Sequence, residues 1–123
     1  MLSRDELKAR VISEIDAHAD ELINIATTIL EHPESGFNEE KTSRLVIEKL
    51  RELRIPHRHN LAVTGVKGEV LAASEGPTIA VIGELDSLIV GDHPHADPNT
   101  GAAHACGHHA QIGMMLGAAM GLS

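Results

Sequence analysis

The sequence predicts an α/β protein with helices at both ends and short strands between them. Apolar residues recur at spacings of three, four and seven along residues 4–30, a pattern typical of an amphipathic helix. Residues 61–74 are rich in β-branched side chains and interrupted by glycines, and residues 78–82 form a near-continuous apolar run. We therefore expect a long N-terminal helix, a hairpin or two short strands, and one strand buried on both faces.

The long first helix is expected from about Arg4 to Leu30. Ser3 and Glu6 stand three residues apart at its start, the spacing of a capping box in which both side chains satisfy backbone N–H groups. Pro33 disfavours helical geometry at the residue before it, so the helix should end there. Such a helix would be about 40 Å long at about 1.5 Å per residue.

Two more helices are predicted by the same kind of pattern. The second should begin after Asn38, a preferred N-cap residue, and end before Pro56. The last should run from about His109 to Leu122, and the glycines within it require close packing by another backbone. The stretch HPESGFNEE, which precedes the second helix, has the composition of an acidic solvated loop.

Length, charge and composition narrow the class of protein. A chain of 123 residues is about one domain, and a net charge of −8 with a pI of about 5.5 argues against a nucleic-acid partner. No apolar stretch is long enough to span a membrane, and the charged start is unlike a signal peptide. A lone cysteine forms no internal disulfide, which fits a reducing compartment. We expect a cytoplasmic protein with neither a nucleic-acid nor a membrane partner.

Two acidic residues follow the predicted buried strand. Glu84 and Asp86 come directly after the apolar run of residues 78–82. In open α/β sheets, binding sites form outside the carboxyl ends of the strands. These acids are therefore candidate functional residues, and the alternative is that they only cap an exposed strand end.

Histidines and the only cysteine are concentrated in residues 93–109. Imidazole and thiolate are preferred ligands of zinc and similar metals, so His104, Cys106, His108 and His109 predict a metal site. Residues two apart on a helix point about 200° from each other, so this segment must be extended or turned if it chelates. Two alternatives remain open: a thiol enzyme that uses Cys106, and a solvated loop in the case of the histidines at 93 and 95.

Four segments in order resemble a known family. HPESGFNEEKTS, TGVKGEVLA, IAVIGELDSL and GAAHACGHHAQ are similar to motifs of the zinc-dependent aminoacylase and carboxypeptidase family, in its amidohydrolase branch. That branch includes N-acyl amino acid amidohydrolases, hippurate hydrolase and p-aminobenzoyl-glutamate hydrolase. The resemblance implies a zinc-peptidase-like catalytic domain, of which residues 1–123 would be the N-terminal portion, without the remainder and the dimerisation domain.

The resemblance also implies a site and a reaction. Cys106 and His108 match the family's metal ligands, and Asp86 matches the catalytic acid that orients a ligand or polarises the metal centre. The cofactor would be a divalent metal, zinc before manganese, cobalt or nickel, in a dinuclear site of the complete protein. The reaction would be hydrolysis of an amide bond in N-acyl amino acids or dipeptide-like conjugates, with a glutamate as general base.

The sequence also departs from the family pattern. His109 stands where the family often has Asp, so it adds or displaces a ligand, and Glu84 stands where many members have Asp. Family members are much longer, and their general-base glutamate has no match here. We therefore expect an incomplete, inactive chain of a homo-oligomeric enzyme. The alternative is a non-catalytic truncated module that binds metal or a partner.

Overall fold

The computed structural model describes residues 2–123 and confirms the α/β class. Within this range it has four helices and two antiparallel pairs of short strands. The helices are α1 (Arg4–Ala17), α2 (Ala19–Glu31), α3 (Glu40–Glu52) and α4 (His108–Leu122). The strands are β1 (His57–Leu61), β2 (Gly65–Gly68), β3 (Leu88–Ile89) and β4 (Ala102–Ala103). None of the helices in residues 2–123 has the length and apolar character needed to cross a membrane.

The predicted long first helix is two helices, α1 and α2. The capping box at its start is confirmed, since the Glu6 amide donates to Ser3 Oγ at 3.3 Å and the Ser3 amide donates to Glu6 Oε2 at 2.8 Å. The interruption lies at His18, whose φ of −107° and ψ of 14° leave helical geometry. Both α1 and α2 contact α4.

The hydrophobic core lies between α2, α3 and α4. Ile112 and Leu116 of α4 are fully buried, and α2 and α3 pack their own apolar faces on them. The predicted close packing of another backbone at the α4 glycines is confirmed: a Cβ on Gly113 would lie 3.6 Å from the Leu22 carbonyl oxygen, and one on Gly121 would lie 3.2 Å from the Val11 carbonyl oxygen. Lys49 forms ion pairs with glutamates of α2 and α3, which ties these two helices together at the edge of the core.

The strands form two separate antiparallel pairs. The predicted hairpin is present as β1 and β2, with His57 opposite Gly68, although β1 begins before the predicted region. Gly68 packs against Leu50 and Ile55, so the hairpin covers one end of α3. The second pair, β3 and β4, places the segment after Asp86 beside the segment before His104.

The prediction of a buried strand at residues 78–82 is wrong. Residues 71–82 are exposed throughout, with Ile79 83% and Ile82 82% accessible, and none of them pairs in a strand ladder. A strand buried on both faces needs strand neighbours on each side and a covering layer above and below. The four strands in the described part of the chain pair only with one another, so this run has no such neighbours.

Candidate metal centre

The chain turns sharply just before the last helix. Gly107 has a left-handed φ of 86°, and α4 begins at the next residue, His108. The segment from His104 to Cys106 is therefore not helical, as its spacing predicts. This turn places the His108 imidazole at the first position of α4, close to the end of the exposed run.

His108 lies between the two predicted acids. Its Nε2 is 3.1 Å from Glu84 Oε2, and its Nδ1 is 3.1 Å from Asp86 Oδ1. Each of the three residues offers one ligand atom, and these atoms all lie within 4.8 Å of one another. The imidazole is largely buried, whereas the Glu84 carboxylate is more than half exposed, so the cluster is open to solvent on one side.

The hydrogen bond of His108 shows that Nδ1 carries a hydrogen. Nδ1 lies 2.8 Å from the backbone carbonyl oxygen of Asp86, and a carbonyl oxygen only accepts, so Nδ1 carries the hydrogen. In the neutral ring, Nε2 then holds the lone pair and faces Glu84. Histidine ligands in metal sites have this arrangement, with the second nitrogen donating to a carbonyl or carboxylate.

The loop HPESGFNEE anchors this cluster and is not simply solvated. Ser87, the residue after Asp86, donates from its amide and its hydroxyl to the Glu34 carbonyl oxygen at 2.8 and 2.9 Å. The Glu34 carboxylate accepts from the amides of Lys41 and Thr42 at 3.0 and 2.8 Å. The prediction of Asn38 as N-cap is wrong, because Glu34 satisfies these free amides at the start of α3 from several residues upstream.

Glu39 provides a second link that composition alone did not reveal. It is buried, and its Oε2 accepts a hydrogen bond of 2.7 Å from the Thr64 hydroxyl. Ser43 Oγ donates to the Thr64 carbonyl oxygen at 2.7 Å. The start of α3 is thus tied to the β1–β2 hairpin as well as to the metal-centre segment, and the only sequence signal was the paired polar residues of EEKTS.

The predicted ligand Cys106 lies outside the three-residue cluster. Its thiol is exposed, and the group that could hold a metal consists of Glu84, Asp86 and His108. The structure therefore brings together two of the three predicted site residues, Asp86 and His108. Glu84 joins them, and the ligand role of Cys106 stays a prediction.

His104 and His109 form a second pair of rings. Their centroids are 5.5 Å apart, His104 is only 4% exposed, and neither of its ring nitrogens has a hydrogen-bond partner among residues 2–123. Burial, followed by the nearby charges of His109 and His108, lowers the pKa of His104 to about 4. Burial also lowers the pKa of His109. Both rings are therefore neutral at pH 7.

The histidines at 93 and 95 lie in a polar loop and are not part of the three-residue cluster. Asp97 Oδ1 organises that loop by accepting from the amides of Asn99 and Thr100 at 2.9 and 2.8 Å. His95 is exposed, and its amide lies 3.1 Å from His93 Nδ1. This geometry favours the solvated-loop interpretation of these two residues.

An imidazole between two carboxylates, at the turn into a helix, is a group that could hold a divalent metal ion. Among curated proteins, the chain is similar to the plant IAA-amino acid hydrolase ILR1-like 4 of Arabidopsis thaliana, with 36% identity over 81% of this chain. It is 30% identical over 93% of its length to thermostable carboxypeptidase 1 of Saccharolobus solfataricus. It is 33% identical over 80% of its length to the N-acetyl-L-cysteine deacetylase of Bacillus subtilis.

These similarities cover a limited part of each relative. The chain spans 23%, 30% and 24% of the lengths of the three proteins, in the order given. No protein-family model and no solved structure matches it. The resemblance predicted from the motifs is confirmed to this extent: the chain is similar to proteins named as an amino acid hydrolase, a carboxypeptidase and a deacetylase, over part of their lengths.

Proposed function

We propose that this chain provides part of the catalytic domain of a metal-dependent amidohydrolase. The substrate would be an N-acyl amino acid or a small dipeptide-like conjugate, and the cleaved bond an amide. The observation that carries the proposal is the fixed His108 ring, whose Nε2 lies 3.1 Å from Glu84 Oε2 while Nδ1 donates to the Asp86 backbone carbonyl oxygen. The relatives, which are named as hydrolases, a carboxypeptidase and a deacetylase, support the same chemistry.

The donor set fits a divalent cation. His108 Nε2 and the Glu84 carboxylate would hold the metal, and the exposed thiol of Cys106 would join them as the family resemblance implies. Zinc suits imidazole, carboxylate and thiolate donors, with manganese, cobalt and nickel as the other candidates. When bound, such a metal supplies Lewis-acid activation of a carbonyl group or a water molecule. A dinuclear centre in a homo-oligomeric, cytoplasmic enzyme is part of the same proposal.

Asp86 has a positioning role in this proposal. Its backbone carbonyl and its carboxylate both lie within 3.1 Å of His108 Nδ1, so it fixes the ring orientation and favours the tautomer that offers Nε2. Ser87 and Glu34 hold Asp86 in turn through backbone hydrogen bonds. Loss of a residue that orients a metal ligand typically costs about 10–100-fold in metal affinity or activity.

Zinc stoichiometry and affinity in single variants test the site. We expect His108→Ala to lose specific zinc binding and Asp86→Asn to retain zinc at saturation with roughly 10–100-fold weaker affinity. Cys106→Ala should also lose affinity if the thiol is a ligand. His95→Ala is the matched control, because this imidazole is exposed and is not one of the three clustered residues. Unchanged zinc affinity in His108→Ala would overturn the proposal.

Activity is expected to require more than residues 1–123. The family resemblance assigns the general base to a glutamate that has no match here, so this chain alone should not hydrolyse N-acetyl or N-benzoyl amino acids even with zinc added. Release of the free amino acid would be measured. Strong zinc-dependent hydrolysis would show that Glu84 or another residue of this chain can serve as the base.

The alternative function is a non-catalytic module that binds metal or a partner. The exposed apolar side chains at 79, 81 and 82 favour an interaction role. Zinc binding together with inactivity in the longest product of the gene would favour this alternative. Zinc-dependent hydrolysis by that product would exclude it.

A further inference from the structure

Two imidazole rings next to the candidate metal centre have unused nitrogen atoms. His104 is only 4% exposed, and neither of its ring nitrogens has a hydrogen-bond partner within residues 2–123. Nδ1 of His109 is also buried and has no partner in that range. Native proteins rarely leave buried polar atoms without a partner, because the hydrogen bonds lost to water cost stability. These atoms on two neighbouring rings therefore indicate a ligand.

The two rings form a pair that is separate from the three-residue cluster, to which neither belongs. Successive residues of an α-helix point about 100° apart, so the His109 ring leaves α4 in a different direction from the His108 ring. His104 comes from the segment before the turn at Gly107, and its ring centroid lies 5.5 Å from that of His109. The turn thus brings a second set of nitrogen donors together.

Burial, and not the spacing of the rings, distinguishes this pair. The ring centroids of His93 and His95 are 5.9 Å apart, which is a similar separation. In that loop, however, His95 is exposed, and its amide donates to His93 Nδ1 at 3.1 Å. The loop pair is therefore a control in which the spacing is matched and the burial of unpartnered nitrogens is missing.

The donors determine which ion fits between the buried rings. Imidazole nitrogens suit copper, zinc, iron and nickel. Structural zinc sites almost always have four protein ligands and catalytic ones three, whereas this pair offers two within the described part of the chain. Burial penalises charge, and a doubly charged ion more than a singly charged one. Cu⁺ carries a single charge and accepts as few as two nitrogen donors, so it fits these rings best.

We propose that His104 and His109 form a second metal-binding site, which takes Cu⁺ through one nitrogen of each ring. The ion reaches the pair from the side of His109, a residue that is only partly buried. Once bound, it links the segment before Gly107 to the first turn of α4. This inference goes beyond the proposed function and does not depend on it, since it involves neither zinc nor the hydrolytic reaction.

Nuclear magnetic resonance of the histidine rings tests the site directly. Cu⁺ is diamagnetic, so the ¹⁵N signals of rings that bind it shift and do not disappear. Metal-free protein labelled with ¹⁵N-histidine would be titrated with Cu⁺ without oxygen, and competition with the chelator bicinchoninate would give the affinity. We expect the ring signals of His104 and His109 to shift, and those of His93 and His95 to stay in place.

Substitutions assign the binding to the pair. His109→Asn removes one donor and should weaken Cu⁺ binding by at least about 10-fold, since even the loss of a residue that orients a metal ligand costs about 10–100-fold. His104→Leu should have the same effect, and His109→Asn alone decides the question if His104→Leu does not fold. His93→Asn is the matched control and should bind Cu⁺ as tightly as wild type.

The exposed thiol of Cys106 needs its own control, because thiolate is also a Cu⁺ ligand. In Cys106→Ser the shifts of the His104 and His109 rings should persist.

Three outcomes would overturn the inference: no response of the His104 and His109 rings to Cu⁺, loss of that response in Cys106→Ser, and equal affinities of His109→Asn and His93→Asn. The first would mean that water or another partner satisfies the buried nitrogens. Failure of the proposed function is distinguishable, because it would appear as absent zinc binding while the two rings still respond to Cu⁺.

Discussion

Both the packed helix α4 and the exposed run at residues 71–82 are rich in apolar residues, yet only α4 is buried. Leu116 in α4 is fully buried, whereas Ile79 in the run is 83% exposed. A helix satisfies its backbone hydrogen bonds internally and needs only one apolar face covered, which α2 and α4 provide for each other. A buried strand needs ladder partners as well. The comparison shows that hydrophobicity buries a segment only where the backbone is also satisfied.

The largest expected effect tests this comparison directly. Leu116→Ala removes a fully buried side chain and should lower the free energy of unfolding by about 3–5 kcal/mol, with the cavity adding to the lost transfer energy. Ile79→Ala, in the exposed run, should change it by less than about 0.5 kcal/mol. Denaturant titrations of both variants measure the difference. A large loss of stability in Ile79→Ala would mean that the run is covered in solution, which would contradict the difference between the two regions.

The next effect concerns the buried polar ring of His104. Its pKa of about 4 in the folded chain lies below the 6.5 of an unperturbed histidine, so the unfolded chain binds the proton more tightly. The stability that the folded chain gains from keeping this ring neutral is fully present above pH 6.5. It is lost as the pH falls from 6.5 towards 4, by about 3 kcal/mol in total. Denaturant titrations of metal-free protein across this range would show the loss.

His104→Leu is the control for that measurement. Leucine does not titrate, so the variant should lose less stability between pH 6.5 and 4 than wild type, and the difference isolates the histidine from the carboxylates. If the free energy of unfolding depends on pH equally in the two proteins, His104 is not buried as a neutral ring.

A smaller effect is expected at two glycines of α4, Gly121 and Gly113. A Cβ at Gly121 would lie 2.8 Å from Val11 Cγ1 and 3.2 Å from the Val11 carbonyl oxygen, so Gly121→Ala should cost about 1–3 kcal/mol. A Cβ at Gly113 would lie 3.4 Å from Ala26 Cβ, which is ordinary contact, so Gly113→Ala should gain up to about 1 kcal/mol in helix propensity. Thermal unfolding of the two variants measures whether each substitution lowers or raises stability. Unchanged or increased stability in Gly121→Ala would contradict the described approach of α1 to α4, and a loss of stability in Gly113→Ala would contradict the looser contact with α2.

The smallest effect is expected at the start of α1. This helix contacts α4 but has no fully buried side chain, so it lies between the packed helices and the exposed run in burial. Ser3→Ala removes the capping box and should cost about 1 kcal/mol. The hydrogen bonds from Ser3 also lower the pKa of Glu6, and that pKa should rise in the variant. NMR titration of Glu6 and chemical denaturation measure the two effects. Lost stability with an unchanged Glu6 pKa would separate the helix cap from the Glu6 interaction.

Sequence patterns predicted the elements that depend on local chemistry. The Ser3 capping box, the turn at Gly107 and the helix after it follow from residue types and spacing, and all are present. The meeting of Asp86 with His108 was also predictable, because acids after an apolar run and a histidine-rich turn are both metal-site signals. The motif resemblance added the same two residues independently.

The features that sequence reasoning missed depend on contacts between distant segments. The break at His18 is not marked by a glycine or proline in the sequence. Both α1 and α2, on either side of it, contact α4. The role of Glu34 depends on α3 and Ser87, which are adjacent only in the folded chain. The exposed run was predicted as a buried strand because an apolar pattern does not reveal whether ladder partners are present.

The Glu34–Ser87 hydrogen bond has a kinetic consequence. It joins residues 53 positions apart, so the chain must close a long loop before Asp86 is held beside His108. Helices and the β1–β2 hairpin form from nearby residues and should precede it. Zinc bound at this late-forming cluster would then slow unfolding without accelerating folding, since stabilisation absent from the transition state acts on the unfolding rate. Chevron plots recorded with and without zinc should have the same folding limb and different unfolding limbs.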